Sequence, residues 1–489
     1  MNAVDAPNAT NATNAGRREH GESLVVVGNG MAAIRLVEEL VRREAQLRIT
    51  VIGDEPGTAY NRILLSAVLE GSHPATELRL KDEAWYAENG VELISGTRVR
   101  LIDRDARVVR LADGRTVPYD RLVLAIGSAA ALPPIRGLVT SGGDLSPNVH
   151  AFRSMADCLG LLNALPGARR AVVIGGGLLG LQVARALGVR GLEVDVVEAA
   201  PHLLASHIGE TAGAVLRRSV EELGCEVHSE TRAVKLTDEG LLLDTGYLLR
   251  ADLFVLTAGA RPATSLAKAA GLFVRRGVVV DQTLTTVTDP RIHAIGDCAE
   301  YRGRTSGFVS PAWEQAGVLA ARLCGDQDRY EGSRVVARLR ASNLEVAVLG
   351  DPEHTTGDVV EVANPIRGSY RKLVVRDGVI EAAVLLGDLS RIGLLTQLYD
   401  RRTVLGEGEP GQLLFGERPA GEGSVLLPDD VEVCACAGVS AGRIRACADV
   451  AEVVGTTRAT TGCGGCAGTI RLLLAANNTL PTQAATAGQ

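Results

Sequence analysis

Two spacings in this chain could do chemistry. Toward the C-terminal end, Cys434-Ala435-Cys436 is followed, after 26 intervening residues, by Cys463-Gly464-Gly465-Cys466. Two close pairs of thiolates hold either a tetrahedral zinc ion or a small iron–sulfur cluster, since both take soft sulfur ligands. Zinc ribbons use C-x2-C in both halves, so the C-x-C pair argues for iron–sulfur. The second spacing is of glycines. Gly175, Gly177 and Gly180 form a G-x-G-x-x-G array after the apolar run Val172-Val173-Ile174, and a helix-like pattern follows to about Gly188. Gly175 suits the tight turn, Gly177 the approach of a pyrophosphate, and Gly180 the close packing of helix on strand. The helix start offers free N–H groups and a positive dipole end to phosphates. Val194 to Val197 reads as the next strand, ending at Glu198, a carboxylate that can accept from both hydroxyls of a ribose. Earlier in the chain, Gly28-Asn29-Gly30-Met31-Ala32-Ala33 repeats the array with Ala33 in the third place. Its ribose acid is Asp54 or Glu55, and the position favours Asp54.

The elements that must position these residues can be read from the same chain. Leu24 to Val27 and Ile49 to Ile52 are the strands around the first array. Leu122 to Leu124 runs on into the small-residue turn Ala125-Ile126-Gly127-Ser128, and the run from Phe254 through Gly259 to Pro262 repeats that pattern after the second array. Arg291 to Gly296 is a short strand that ends at Asp297. This aspartate could accept from a ribityl hydroxyl of a flavin or cap a helix, and the residues alone leave both open.

A length of 489 residues suggests about three domains. A net charge of −7 gives no electrostatic footprint for nucleic acid or an anionic membrane. No apolar run reaches the ~20 residues of a membrane span. The first twenty residues, rich in Asn, Ala and Thr, lack the apolar core of a signal peptide and read as a disordered tail, so a cytoplasmic protein is expected. Nine cysteines with four bunched near the end point to metal ligands rather than a disulfide framework.

Taken together, residues 24 to about 325 resemble the two-dinucleotide-binding flavoproteins, the pyridine nucleotide–disulfide reductase group in its broad sense. The resemblance implies an α/β fold with two Rossmann-like domains, the NADH domain inserted in the FAD domain. FAD would lie at Gly28, Gly30, Ala33, Asp54, Ala125, Gly127, Gly296 and Asp297. NADH would lie at Gly175, Gly177, Gly180, Glu198 and Gly259. Ala199 and Ala200 follow Glu198 with no arginine for a 2′-phosphate, which favours NADH over NADPH. Disulfide reductases of this group carry a C-x4-C pair soon after the first unit, but Tyr60-Asn-Arg-Ile-Leu-Leu-Ser66 has no cysteine. Disulfide chemistry is therefore not expected, and Cys158, Cys225, Cys298 and Cys324 read as small buried residues. The helix near Ser310 would point its dipole at the flavin ring, with Trp313 and Glu314 as candidate catalytic side chains. Trp313 reads equally well as core, and Trp85 and Tyr86 read as packing.

Strands at 359–362, 372–375 and 382–386, with Asp377-Gly378 as a hairpin turn and a helix over 394–399, resemble the small α+β third domain of the same flavoproteins, which often supports homodimers. Residues 431–475 resemble the small helical [2Fe–2S] domain of the bacterioferritin-associated ferredoxin type, with Cys434, Cys436, Cys463 and Cys466 as ligands and Cys447 off-pattern. The expected order is a tail (1–20), the FAD domain (21–149 and 273–330) around the NADH domain (150–272), the third domain (331–405), a linker (406–428), the [2Fe–2S] domain (429–478) and a tail (479–489).

Such a chain converts a hydride into single electrons. Its order resembles the amino-terminal half of assimilatory nitrite reductase large subunits and the electron-transfer subunit of assimilatory nitrate reductases. The sequence ends at Gln489 with no sirohaem-binding half, so the reading favours the second: NADH to FAD to [2Fe–2S] to a separate molybdenum-containing nitrate reductase subunit. A free-standing ferredoxin or rubredoxin reductase and an NADH-responsive regulatory flavoprotein are the rivals. The purified protein is expected to carry about two irons and two acid-labile sulfides per chain. Elemental analysis that returns one zinc and no labile sulfide would replace the cluster with a zinc site.

Overall fold

The structure is a computed structural model that describes residues 21–341, 344–406, 408–414, 427–434, 439–457, 459–460 and 466–479. The tail at 1–20, residues 415–426 of the expected linker, Cys436 and Cys463, and residues 480–489 lie outside the described residues. The chain divides into two compact units. One comprises Met1–Arg62, Thr76–Ala129 and Ala260–Ser333; the other comprises Ile63–Ala75, Ala130–Gly259 and Arg334–Gln489.

The first unit is built on a five-stranded sheet in the spatial order Ile292–Ala294, Arg121–Leu124, Glu22–Val27, Leu47–Ile52, Glu92–Ile94, parallel throughout. Its central strands are unbroken apolar runs, and Leu24, Val25, Val26, Leu122, Val123 and Leu124 are fully buried, as strands covered on both faces require. The helices Met31–Arg42 and Val309–Leu323 pack on each other, and Ala33, Val37, Ala316 and Ala320 are buried in the core they share with the sheet. The strand Ile292–Ala294 joins the sheet only after the whole second array has been traversed, and Asp289 anchors its entry. That carboxylate, 3% exposed, accepts from the Arg291 N–H and Nε and from Arg104 Nε.

In the second unit a parallel sheet runs Cys225–His228, Glu193–Val197, Arg170–Ile174, Leu253–Leu256, Val149–Ala151. The antiparallel strands Ala233–Thr237, Gly240–Leu243 and Leu248–Leu249 close over one face, burying Leu241, Leu243 and Leu249 against Val172, Ile174 and Phe254. Residues 130–149 hydrogen-bond to this unit, with the Leu236 N–H donating to the Arg136 carbonyl at 2.7 Å. The chain therefore passes between units at 129/130 and 259/260, earlier than the composition of the sequence suggested. Helix Leu65–Glu70 also belongs here, because Glu70 takes both guanidinium nitrogens of Arg185, at 2.7 and 2.9 Å. Arg185 lies on the array's own helix, Leu178–Val189.

The third region is an antiparallel sheet ordered Val336–Ala341, Leu344–Leu349, Val379–Leu386, Ser369–Arg376, Asp358–Asn364. Asp377 and Gly378 both have positive φ, +52° and +72°, as the tight turn between its two longest strands demands. Helix Ile392–Asp400 buries Ile392, Leu395 and Tyr399 on the sheet. The first part of the expected linker is not loose: Pro410–Leu413 forms a 3₁₀ turn, and Leu414, 1% exposed, enters this core. The cysteine region packs Val439, Ile444, Val453 and Ile470 into a separate small core.

Asp289 supplies a test of the first sheet. Burial alone would raise its pKa, but the Arg291 and Arg104 hydrogen bonds outweigh burial and leave it below the usual carboxylate range. A depressed folded-state pKa stabilises above the unfolded value and is lost as the pH falls through the folded one. Asp289→Asn should therefore cost about 2 kcal/mol at neutral pH. In urea titrations the deficit should shrink only below the ordinary carboxylate range, as the wild-type Asp289 protonates.

Candidate cofactor sites

Three segments converge on the first array. Gly28 leaves its strand with φ +108°, its N–H donating to the Ile52 carbonyl at 2.7 Å, and a Cβ there would collide with the Ala125 carbonyl. Conformation and space both demand glycine. Gly30 is the N-cap of Met31–Arg42 with no side chain capping it, and a Cβ on Gly30 would meet nothing within 4 Å. The helix start thus keeps its backbone donors for an anionic ligand. Ala33 is fully buried where the third glycine would stand. Gly127, φ +66°, also borders open space. Asp297 lies in the 3₁₀ turn Gly296–Cys298, and its Oδ2 accepts from Ser128 Oγ at 2.7 Å.

The other candidates of this site fall in different settings. Asp54 is 55% exposed and pairs with Arg98 at 3.3 Å. Gly53, not an acid, follows Ile52 in the register place that Glu198 takes after Val197, and a Cβ on it would press on Asn29 Cβ at 2.9 Å. Glu55 instead accepts from Tyr60 Oη at 2.7 Å and pairs with Arg62. Trp313 Nε1 donates to the Met31 carbonyl at 3.2 Å, so this indole ties the helix Val309–Leu323 to the first residue of the array's helix. Glu314 is exposed.

Sequence reasoning missed four side chains here. Ser128 was read only as part of a small-residue turn. Burial opposes the charge on Arg62, but Tyr60, Glu55 and Asp297 outweigh it and raise its pKa above the usual arginine value. Tyr86, read as packing, donates its hydroxyl to Asn29 Oδ1 at 3.0 Å, and burial pushes its pKa up to about 12, so it remains a donor. Gln315 is buried and accepts from the Gly296 N–H. A signal existed only for Arg62, a cation inside the segment inspected for cysteines.

The second array repeats the geometry. Gly175 has φ +117°, donates to the Val197 carbonyl at 2.8 Å, and has no room for a Cβ beside the Thr257 carbonyl. Gly177 caps Leu178–Val189 without a side chain and faces open space, as does Gly259. A Cβ on Gly180 would strike the Gly175 carbonyl, so this glycine serves packing. Glu198 reaches back to the array: Oε2 accepts from the Gly176 N–H at 2.6 Å and Oε1 from the Ala200 N–H at 2.8 Å. Nearby Asp195, Glu226 and His228 could pass for metal ligands, but Arg170 takes both oxygens of the buried Asp195, at 2.8 and 3.2 Å, which makes the group an ion-pair network.

Of the four clustered cysteines the structure describes Cys434 and Cys466, which are 3% and 4% exposed in one small core. The Thr460 N–H donates to Cys466 Sγ at 3.2 Å, a bond that favours a thiolate or metal-bound sulfur. Cys447 is buried in the same core. Elsewhere Cys158, Cys225 and Cys298 are buried, with burial raising their thiols to about 11, 11 and 12. Cys324 is exposed at the end of its helix, contrary to its expected burial, because the chain turns away from the core there.

The two glycine cradles, open at their centres and tight at their edges, fit two dinucleotides. Comparison with known proteins agrees. The family model Pyridine nucleotide-disulphide oxidoreductase matches residues 22–316, and the Rubredoxin NAD+ reductase C-terminal domain matches residues 336–403. A nitrite reductase [NAD(P)H] of Bacillus subtilis (strain 168) is 36% identical over 460 residues, covering 91% of this chain and 56% of the relative. The assimilatory nitrate reductase electron transfer subunit of the same organism is 33% identical over 467 residues, covering 91% of this chain and 58% of the relative. The chain thus spans little more than half the length of either. A solved ferredoxin reductase for the CYP199A2 system from Rhodopseudomonas palustris superposes with a TM-score of 0.69 at 30% identity, over 75% of this chain and 91% of that one. Its two cradles lie inside the matched span and no cysteine pair follows the first, so this chain belongs to the pyridine nucleotide–disulphide oxidoreductase family without the dithiol for which that family is named.

Proposed function

We propose that this chain is an NADH-dependent flavin and iron–sulfur electron-transfer component that serves a separate acceptor, a molybdenum-containing nitrate reductase subunit in the reading favoured here. The observation that carries it is the joining, in one chain, of two uncapped glycine cradles to a core holding Cys434 and Cys466. Bound flavin would supply the change from two-electron to one-electron chemistry, and a [2Fe–2S] cluster the one-electron exit. The protein's own contributions are binding and orientation. The helix starts at Gly30 and Gly177 bind pyrophosphates, Asp297 and Ser128 orient a ribityl chain, and Glu198 accepts from an adenosine ribose. The names of the nitrite and nitrate reductase relatives support a place in nitrogen oxide reduction. The third-region match to rubredoxin reductases favours a second reading, a reductase for a free ferredoxin or rubredoxin. Among the described residues no helix is long and apolar enough to cross a membrane.

Glu198 makes nucleotide choice testable. Its carboxylate repels a 2′-phosphate, so kcat/KM for NADH should exceed that for NADPH. Glu198→Gln keeps an oxygen for the Gly176 N–H but removes the charge, and should narrow the preference about tenfold. Equal kcat/KM for both cofactors in the wild type would refute the assignment.

The two halves of the proposal separate in one variant. Cys463→Ser replaces a soft thiolate by a poor hydroxyl ligand and should remove or destabilise the cluster. NADH-to-ferricyanide activity should stay near wild type, while NADH-driven nitrate reduction with the molybdenum subunit should be abolished. If coupled nitrate reduction survives the substitution, the cluster is off the pathway.

A further inference from the structure

Helix Val309–Leu323 serves the first cradle with a second side chain besides Trp313. Gln315 is 3% exposed. Its Oε1 accepts the Gly296 N–H at 2.7 Å, a buried bond. Gly296 has φ +73°, and the space where a Cβ would stand is bounded by Ala32 at 3.1 Å and Ala312 at 3.8 Å. Gly296 is buried between the starts of two helices, so its N–H depends on the Gln315 acceptor. One residue on is Asp297, with Ser128 on its carboxylate. The side chain type is specific. An amide oxygen gives the buried Gly296 N–H its acceptor without adding a charge; a carboxylate would accept as well but brings a charge, and a hydrocarbon strands the donor.

We infer that Gln315 is the positioning residue of the flavin site. It fixes the left-handed turn that sets the Asp297 carboxylate where a ribityl hydroxyl can donate to it. This rests on the FAD reading of the first cradle. The role is indirect, acting through the Gly296 N–H.

The test uses the full chain with FAD removed and restored. Gln315→Leu leaves a buried N–H unpaired, and should weaken FAD binding about tenfold or more, read by fluorescence titration of the apoprotein. Gln315→Glu restores the acceptor for Gly296 and should recover most of that affinity. Its added negative charge should lower the flavin midpoint potential of the reconstituted protein. Gln315→Asn keeps an amide oxygen one methylene short of the Gly296 N–H and should cost FAD affinity less than Gln315→Leu, which covers the case in which the leucine variant does not fold. A brace that merely supports the fold would lower the unfolding temperature of the apoprotein and leave FAD affinity and flavin potential unchanged; that outcome overturns the inference. A wild-type chain that binds no FAD would instead overturn the reading of the cradle on which it rests.

Discussion

Both nucleotide cradles depend on the absence of one atom. At Gly28 and at Gly175 the next parallel strand brings a carbonyl, of Ala125 and of Thr257, into the place a Cβ would fill. That approach lets the strand, the turn and the helix meet without a gap, so the helix start lies at the mouth of the sheet with its donors unspent. Longer side chains elsewhere adjust to this constraint. Asn29 crosses over Gly53, Trp313 reaches the Met31 carbonyl, and Glu198 folds back to the Gly176 N–H, each holding a turn whose shape glycine alone permits.

The arrays were legible because their period is local. Five or six residues carry a turn, a phosphate approach and a packing contact, and Val172 to Ile174 or Leu24 to Val27 announce the strands before them. The hairpin at Asp377-Gly378 was legible for the same reason, since two positive φ angles select those residues. What stayed hidden is non-local. Nothing near Gln315 in the sequence points to Gly296, and nothing near Tyr86 points to Asn29, because the sheet brings those pairs together. Asp54 shows the reverse case: its place in the sequence suits a ribose acid, while in the fold it is half exposed beside Arg98. The boundaries at 129/130 and 259/260 stayed hidden because they depend on which unit the loop residues hydrogen-bond to, as Arg136 does with Val234 and Leu236, and no local pattern shows that.

The cysteine region follows a different physical logic. Among the described residues its core is a handful around Ile444, Val453 and Ile470, small for an independent fold. Sulfur ligation would supply stability that so few apolar contacts cannot, which ties the folding of this region to the chemistry assigned to it. The parallel sheets need no such help, being long apolar runs buried on both faces.

The late arrival of the strand Ile292–Ala294 has a consequence for how the chain is made. The fully buried strand residues Leu122, Val123 and Leu124 have Ile292–Ala294 as the pairing partner on one edge. On the ribosome this edge stays open until the entire second parallel sheet has emerged. Such an apolar, unpaired edge is a template for mispairing with another nascent chain. The inserted sheet, whose strands all lie between Val149 and Leu256, can close on itself in the meantime. Synthesis rate and chaperone supply therefore bear on the yield of the first cradle far more than on that of the second.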